Sequence, residues 1–163
     1  MRRLFTIVVG ALLLGGLPAW GAAADWGGIT PGESTTEQVR ARYGPPSHES
    51  RQTLEGYDTL QWVYEEDRAP PGMKQMSVDF GLLTPKGYRP TLVRTFQLEP
   101  RPRIFSRKIV LRGWGPPDGV GADDGRQVFL YERGLVVYFD QEGEDAVSMI
   151  FTIPQPLRPS AAE

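Results

Sequence analysis

The sequence predicts an α+β fold of two tandem αβββ repeats, an antiparallel sheet with helices packed on one face. Three observations predict it. Gly44-Pro45-Pro46 recurs as Gly115-Pro116-Pro117. Each copy closes a short stretch with helix-start residues and an apolar pair one turn apart. Each copy is then followed by three runs rich in β-branched and aromatic residues. Units of this kind build an antiparallel sheet with helices on one side.

The chain opens on a segment that reads as an export signal. Arg2 and Arg3 supply the positive start, Leu4 to Leu17 the apolar run, and Ala22-Ala23-Ala24 small residues for a peptidase. The apolar run is shorter than the roughly 18 residues that span a bilayer comfortably. Residues 1–24 are therefore assigned to a signal cut after Ala24, the competing reading being an uncleaved anchor. Residues 25–100 are the first repeat and 101–154 the second. Residues 155–163 are a proline-rich, disordered tail.

The first helix starts near Ser34 or Thr35. Ser34 with Glu37 fits a capping box, and Thr35 is the alternative cap. Val39 and Tyr43 line one face. Gly44 and the proline pair stop the helix. The second helix starts near Ser106, carries Val110 and Trp114 at the same spacing, and stops at Gly113 or Gly115. The strands are 60–65, 76–83 and 91–98, then 128–132, 135–140 and 146–153. One alternation phase holds Trp62, Tyr64, Val78, Phe80, Phe96 and Leu98 in the first repeat. Phe129, Tyr131, Val137, Phe139, Phe151 and Ile153 match them in the second. That phase is the predicted helix-facing core. Residues 66–74 and 116–125 read as exposed loops, and Arg133-Gly134 as a tight turn.

Composition narrows the function. The 163 residues carry 18 Lys+Arg against 20 Asp+Glu, a net charge of −2, one His and no Cys. A slightly acidic chain lacks the footprint of a nucleic-acid binder. Without Cys there are no disulfides, thiolate metal sites, cysteine nucleophiles or lipidated N-terminal cysteine. A single His cannot build a multi-histidine metal site. It follows Gly44-Pro45-Pro46-Ser47, reads as a loop residue, and has no nucleophile motif to serve. The carboxylates of 140–145 miss the EF-hand spacing and read as a solvated turn. The expectation is a non-enzyme with no cofactor and no metal, exported to the periplasm or beyond, and not a lipoprotein.

Two surfaces are candidates for contact. The second phase of the first repeat, with Gln61, Val63, Glu65, Ser77, Asp79, Val93, Thr95 and Gln97, reads as a solvated outer face. In the second repeat this phase has an apolar centre of Val128, Leu130, Val136, Tyr138 and Ile150. A strand set apolar on both sides needs a cover or a partner. Tyr138 suits an anchor, combining a flat ring with a hydroxyl. The competing reading is that the repeats bury this face between them or that a loop covers it. The second candidate is the basic stretch around the second helix, Arg101, Arg103, Arg107, Lys108 and Arg112. It would meet an anionic headgroup or acidic partner, the alternative being a solvated helix face.

Trp26-Gly27-Gly28-Ile29-Thr30-Pro31-Gly32-Glu33-Ser34-Thr35, then Val39, Gly44-Pro45 and Trp62-Val63-Tyr64, resemble the SmpA/OmlA, or BamE-like, family of small envelope proteins. The duplicated arrangement is also similar to the β-lactamase-inhibitory-protein fold. The resemblance runs from Trp26 to about Pro154. It departs from the family pattern in having no Cys and in carrying a second repeat without the Ile-x-Pro-Gly lead-in. The resemblance implies a non-catalytic protein-binding module of the bacterial cell envelope, aiding outer-membrane protein assembly or envelope maintenance. An inhibitor of a secreted enzyme, or a lipid- or glycan-binding envelope protein with peripheral membrane contact, is the alternative.

Overall fold

The computed structural model describes residues 22–155. The chain runs α1 (Thr36–Tyr43), β1 (His48–Leu54), β2 (Tyr57–Glu65), a 3-10 turn (Glu66–Arg68), β3 (Met73–Thr84) and β4 (Gly87–Pro100). It continues through α2 (Arg107–Trp114), β5 (Gly119–Asp123), β6 (Arg126–Tyr131), β7 (Leu135–Phe139) and β8 (Ala146–Thr152). All eight strands form one antiparallel sheet in the order β1-β2-β3-β4-β8-β7-β6-β5. Two four-stranded meanders thus meet where β4 pairs with β8.

This sheet overturns the expected α+β class. Each α-helix is only eight residues long and buries one side chain, Val39 in α1 and Val110 in α2. Helices this short form no layer, and the strands supply the core. Each repeat also carries four strands, where three were expected. The additional ones are β1 and β5, the outer edges of the sheet. Every residue of β1 is exposed, and β5 contains two glycines and no fully buried residue. Edge strands that cover no core show no apolar alternation, so nothing in their sequence marks them. Residues 116–125, expected as a loop, contain β5, and His48, expected in a loop, opens β1.

The predicted core phase is buried as one cluster spanning both repeats, with Ile153 alone half-exposed. Met73, Met76, Leu135 and Met149 fill the space between its rings, and Ala24 and Ile29 enter from the lead-in. Trp62 meets Phe80 edge-on at 4.7 Å between centroids, and Phe129 meets Phe139 likewise at 4.8 Å. Strict alternation puts Val93 outside with Thr95 and Gln97, but it is fully buried. The β3–β4 register shifts between Asp79 and Phe80, and this irregularity sets Val93 inward opposite Phe80.

A hydroxyl residue caps each helix. Thr35, not Ser34, caps α1. Its hydroxyl accepts from Gln38 N at 3.4 Å, and Gln38 Oε1 accepts from Thr35 N at 3.0 Å. The Ser34 hydroxyl accepts from Thr30 N instead. Ser106 caps α2 by accepting from Ile109 N. At the other end Gly44 (φ 77) and Gly115 (φ 82) turn the chain through the left-handed region, where a Cβ is disfavoured. Each of their carbonyls accepts a tyrosine hydroxyl from the unit's second strand. Tyr64 Oη donates to Gly44 O at 3.1 Å and Tyr131 Oη to Gly115 O at 3.0 Å. A helix's last carbonyls have no intrahelical partner, so each phenol satisfies one at a half-buried position.

Of the expected signal, residues 1–21 lie outside the described residues, and only its last three are within them. Ala24 is buried, and its N–H donates to Arg133 O at 2.8 Å. Arg133 Nε returns a bond to Ala22 O at 3.0 Å. The same β6–β7 turn takes the far end of the chain, where Thr152 N donates to Gly134 O and Gln155 N to Glu132 O. A Cβ on Gly134 would strike Thr152 O, so this turn requires glycine. The expected tail lies outside the described residues from 156 onward.

The lead-in and the buried phenols each give a measurable consequence. A chain beginning at Asp25 loses the Ala24 hydrogen bond and its buried methyl. It should unfold at lower denaturant than one beginning at Ala22, by about 1–2 kcal/mol. Equal midpoints would show that the lead-in adds nothing. Burial, the leading cause at both sites, pushes the Tyr64 and Tyr131 hydroxyls from 10.0 up to about 12. The neutral phenol is therefore the form that folding favours. Its contribution is complete below about pH 10 and is lost as pH rises through about 12. Tyr64→Phe and Tyr131→Phe should each cost about 1 kcal/mol near neutral pH. The double variant should also lose the wild type's decline in stability over that alkaline window, and a decline of the same size in both would refute the assignment.

Candidate functional site

Side chains alternate along a strand, so residues between the core positions project from the opposite face. Strand register joins them into rows. Leu130 lies opposite Val136, Val136 opposite Ile150, and Ile150 opposite Gln97. Val128 lies opposite Tyr138, which lies opposite Ser148. Leu130, Val136, Tyr138 and Ile150 are each half-buried and contiguous. The Tyr138 hydroxyl makes no hydrogen bond among the described residues. Val128, placed in the same set by sequence, is only 5% exposed, so it supports Tyr138 rather than offering surface. Gln97 borders the patch, its Nε2 donating to Ser148 Oγ at 3.0 Å.

A second apolar corner of this face is not foreseen by the sequence. Leu54 pairs with Tyr57, and Leu83 with Tyr88. Leu54 and Leu83 are well exposed, at 49% and 59%. The Tyr57 and Tyr88 rings stack at 4.6 Å and tie the β1–β2 hairpin to the β3–β4 hairpin, and the Tyr88 hydroxyl donates to Asp58 O. Tyr57 shares an alternation phase with Gln61 and Val63, which places this corner on the outer face. Sequence alternation starts these strands at Leu60 and Thr91, which leaves both tyrosines outside them. Between the two apolar areas the face is polar. Gln61 Nε2 donates to Asp79 Oδ1 at 2.9 Å, and Thr95 Oγ1 to Phe151 O at 2.7 Å.

The basic stretch is divided among tasks. Arg107 lies over Phe129 at 5.4 Å and Phe139 at 5.2 Å, and its Nε donates to Gly143 O at 2.7 Å. Arg101 Nε donates to Met73 O. Arg103 holds φ 69 and uses its backbone N–H on Asp145 Oδ2. Lys108 and Arg112 are exposed on α2. Arg107 is thus a packing residue, and the exposed basic groups that remain are fewer than the sequence suggests. His48 Nε2 lies 2.7 Å from Glu65 Oε1 at the exposed end of β1. Among the described residues no three His, Asp or Glu side chains gather as metal ligands.

A groove of about 720 Å³ opens in the first unit between α1, β1, β2 and the start of β4. The Arg40 guanidinium lies 4.9 Å from the Trp62 ring centroid. Trp62 Nε1 donates to Glu49 Oε2 at 2.9 Å, and Arg51 Nη2 lies 3.7 Å from Glu49 Oε1. Matching positions around the second Gly-Pro-Pro carry Leu111, Val120 and Phe129.

Fold and surface together define a single-sheet β protein of two meanders with one uncovered face. No protein-family model matches the chain, and no curated protein gives a significant match. A DUF4309 family protein, YjgB, from Bacillus subtilis subsp. subtilis str. 168 is similar at 11% identity and TM-score 0.48, over 82% of this chain and 89% of that one. An extracellular protein containing a SCP domain from Bacillus anthracis str. Ames is similar at 12% identity and TM-score 0.43. That match covers 94% of this chain and 50% of the other, so this chain spans about half of its length. Neither is described as an SmpA/OmlA or an inhibitory protein. Among the described residues no helix is long and apolar enough to cross a membrane.

The division of the basic residues is testable. Arg107→Ala should destabilise the fold by about 1–2 kcal/mol through lost ring contact and the lost Gly143 bond. Lys108→Ala and Arg112→Ala should stay within about 0.5 kcal/mol of wild type. Three equal small changes in denaturant midpoint would show that Arg107 is not a packing residue.

Proposed function

We propose that this protein is a non-catalytic, exported binding module of the bacterial cell envelope that engages a protein partner with its open sheet face. One observation carries the reading. Leu130, Val136, Tyr138 and Ile150 form an apolar patch on the face opposite the buried aromatic cluster, around a tyrosine hydroxyl with no partner among the described residues. Desolvated aromatic anchors ringed by polar groups are the usual energetic centre of a protein interface. The Tyr57–Tyr88 corner adds a second, separate apolar area on the same side. A BamE-like role aiding outer-membrane protein assembly or envelope maintenance is supported by the resemblance at Trp26 to Tyr64. Export follows from the signal-like residues 1–24, and the absence of Cys argues for a periplasmic or secreted protein without a lipid anchor.

The test is affinity capture from envelope extract with wild type and Tyr138→Ala as paired baits. The expected result is a defined set of partners captured by wild type and reduced about tenfold or more in Tyr138→Ala. Lys108→Ala should capture the same set as wild type. Undiminished capture by Tyr138→Ala and by Leu130→Ser would remove the open face from the function.

A further inference from the structure

We propose that the groove beside α1 is a second binding site, on the other side of the sheet, and that Arg40 in it receives a ligand carboxylate. Arg40 carries an exposed guanidinium that lies over one ring and is otherwise unused. Its carbon stands 4.9 Å from the Trp62 centroid, and Glu49 fixes that indole by accepting its N–H at 2.9 Å. Among the described residues no carboxylate lies within ion-pair distance of Arg40, and no acceptor takes its side-chain N–H groups. A planar fork with unspent donors, placed over an aromatic ring, fits a carboxylate through two parallel hydrogen bonds.

The second unit shows that this charge is not required by the scaffold. Leu111 stands where Arg40 does, and Val120 where Glu49 does. The arginine that does lie over rings there, Arg107, has its Nε committed to Gly143 O. The first unit alone keeps a ring-bound cation with free donors beside an open groove of about 720 Å³, within the usual range of about 300–1,000 Å³ for ligand sites. The groove's carboxylates are mostly engaged. Glu49 serves Trp62 and faces Arg51, and Asp58 accepts from Thr53 Oγ1 at 3.2 Å. Glu37 at the wall remains an acceptor. A carboxylate with hydrogen-bond donors nearby, as in a peptide, matches this set. The source is an acidic side chain, the free C-terminus of a peptide or a small free carboxylate, and the three are separable.

The probes are acetyl-Ala-Glu-Ala-amide, acetyl-Ala-Ala-Ala with a free C-terminus, and succinate. The Gln analogue and the fully amidated tripeptide serve as neutral controls. The readout is the Trp62 indole N–H and the β1 and β2 amides in heteronuclear NMR of the mature protein. At least one carboxylate should shift these signals saturably, and its neutral counterpart should not. Arg40→Gln should weaken binding about tenfold or more, and Arg40→Lys should recover only part of it, because an ammonium lacks the fork. Unshifted β6–β8 signals confirm that both variants are folded. No saturable shift from any carboxylate up to about 10 mM, equal binding of the neutral analogues, or unchanged affinity in Arg40→Gln would each overturn the site. Tyr138→Ala should leave these titrations unaltered, so this site and the open-face reading stand or fall separately.

Discussion

Four residue pairs join β4 to β8, and at their centre Phe96 stacks on Phe151 at 4.4 Å with the rings 4° from parallel. Each of these strands is the last of its meander. Alone, a four-stranded meander of this length has one apolar face and little to cover it. A sheet that small buries a smaller share of its surface than the joined pair does. Pairing the two last strands places both apolar faces side by side and merges them into one aromatic cluster. The junction also sets the helices. Thr35, the cap of α1, bridges Leu92 in β4, and Ser106, the cap of α2, lies on a bridge to Asp145 just ahead of β8. Both helices are thus registered on the strands that meet at the junction.

The duplication is visible in local chemistry more than in overall sequence. Both units spend a tyrosine hydroxyl on the glycine carbonyl that ends the helix, and both close the following turn onto the second strand. Ser47 N donates to Val63 O, and Asp118 N to Leu130 O. These are backbone-satisfaction devices in a half-buried place, where an unmet carbonyl carries a cost. Groove positions that neither satisfy a backbone group nor fill the core have diverged. Arg40 and Glu49 in one unit face Leu111 and Val120 in the other. One scaffold therefore carries a charged groove and an apolar counterpart.

This contrast explains how much was legible. The Gly-Pro-Pro repeat and the core phase could be read because each answers a local requirement: a positive φ at Gly44 and Gly115, and burial at every second strand position. Strands β1 and β5 could not, since edge strands pair on one side and need no apolar alternation. With them went the correct class, because the helices looked larger relative to six strands than they are beside eight. Val93 was misplaced by an irregularity in the β3–β4 register, which alternation alone cannot reveal. Of the candidate surface, Leu130, Val136, Tyr138 and Ile150 were legible as a second apolar phase. Tyr57 and Tyr88 were not, since they become neighbours only when two hairpins lie side by side. Arg107 reads as a surface charge because its rings, Phe129 and Phe139, are distant in sequence.

An open sheet with two free edges invites strand addition, and the outer strands show how this protein resists it. His48, Glu49 and Arg51 place charged or titratable groups along β1. Strand β5 is five residues long, has two glycines, and runs into Asp123-Asp124. Charges and brevity are standard protections against edge pairing. The half-buried apolar patch of the second unit lies instead on β6, β7 and β8, inside the sheet, where every strand has a neighbour on both sides. A partner at Leu130, Val136, Tyr138 and Ile150 therefore has to pack side chains onto the face. Backbone hydrogen bonding, which accepts almost any extended segment, is not on offer there. In the proposed function, selectivity at that surface comes from shape and from the few polar groups beside it, Tyr138 Oη and the Gln97–Ser148 pair foremost.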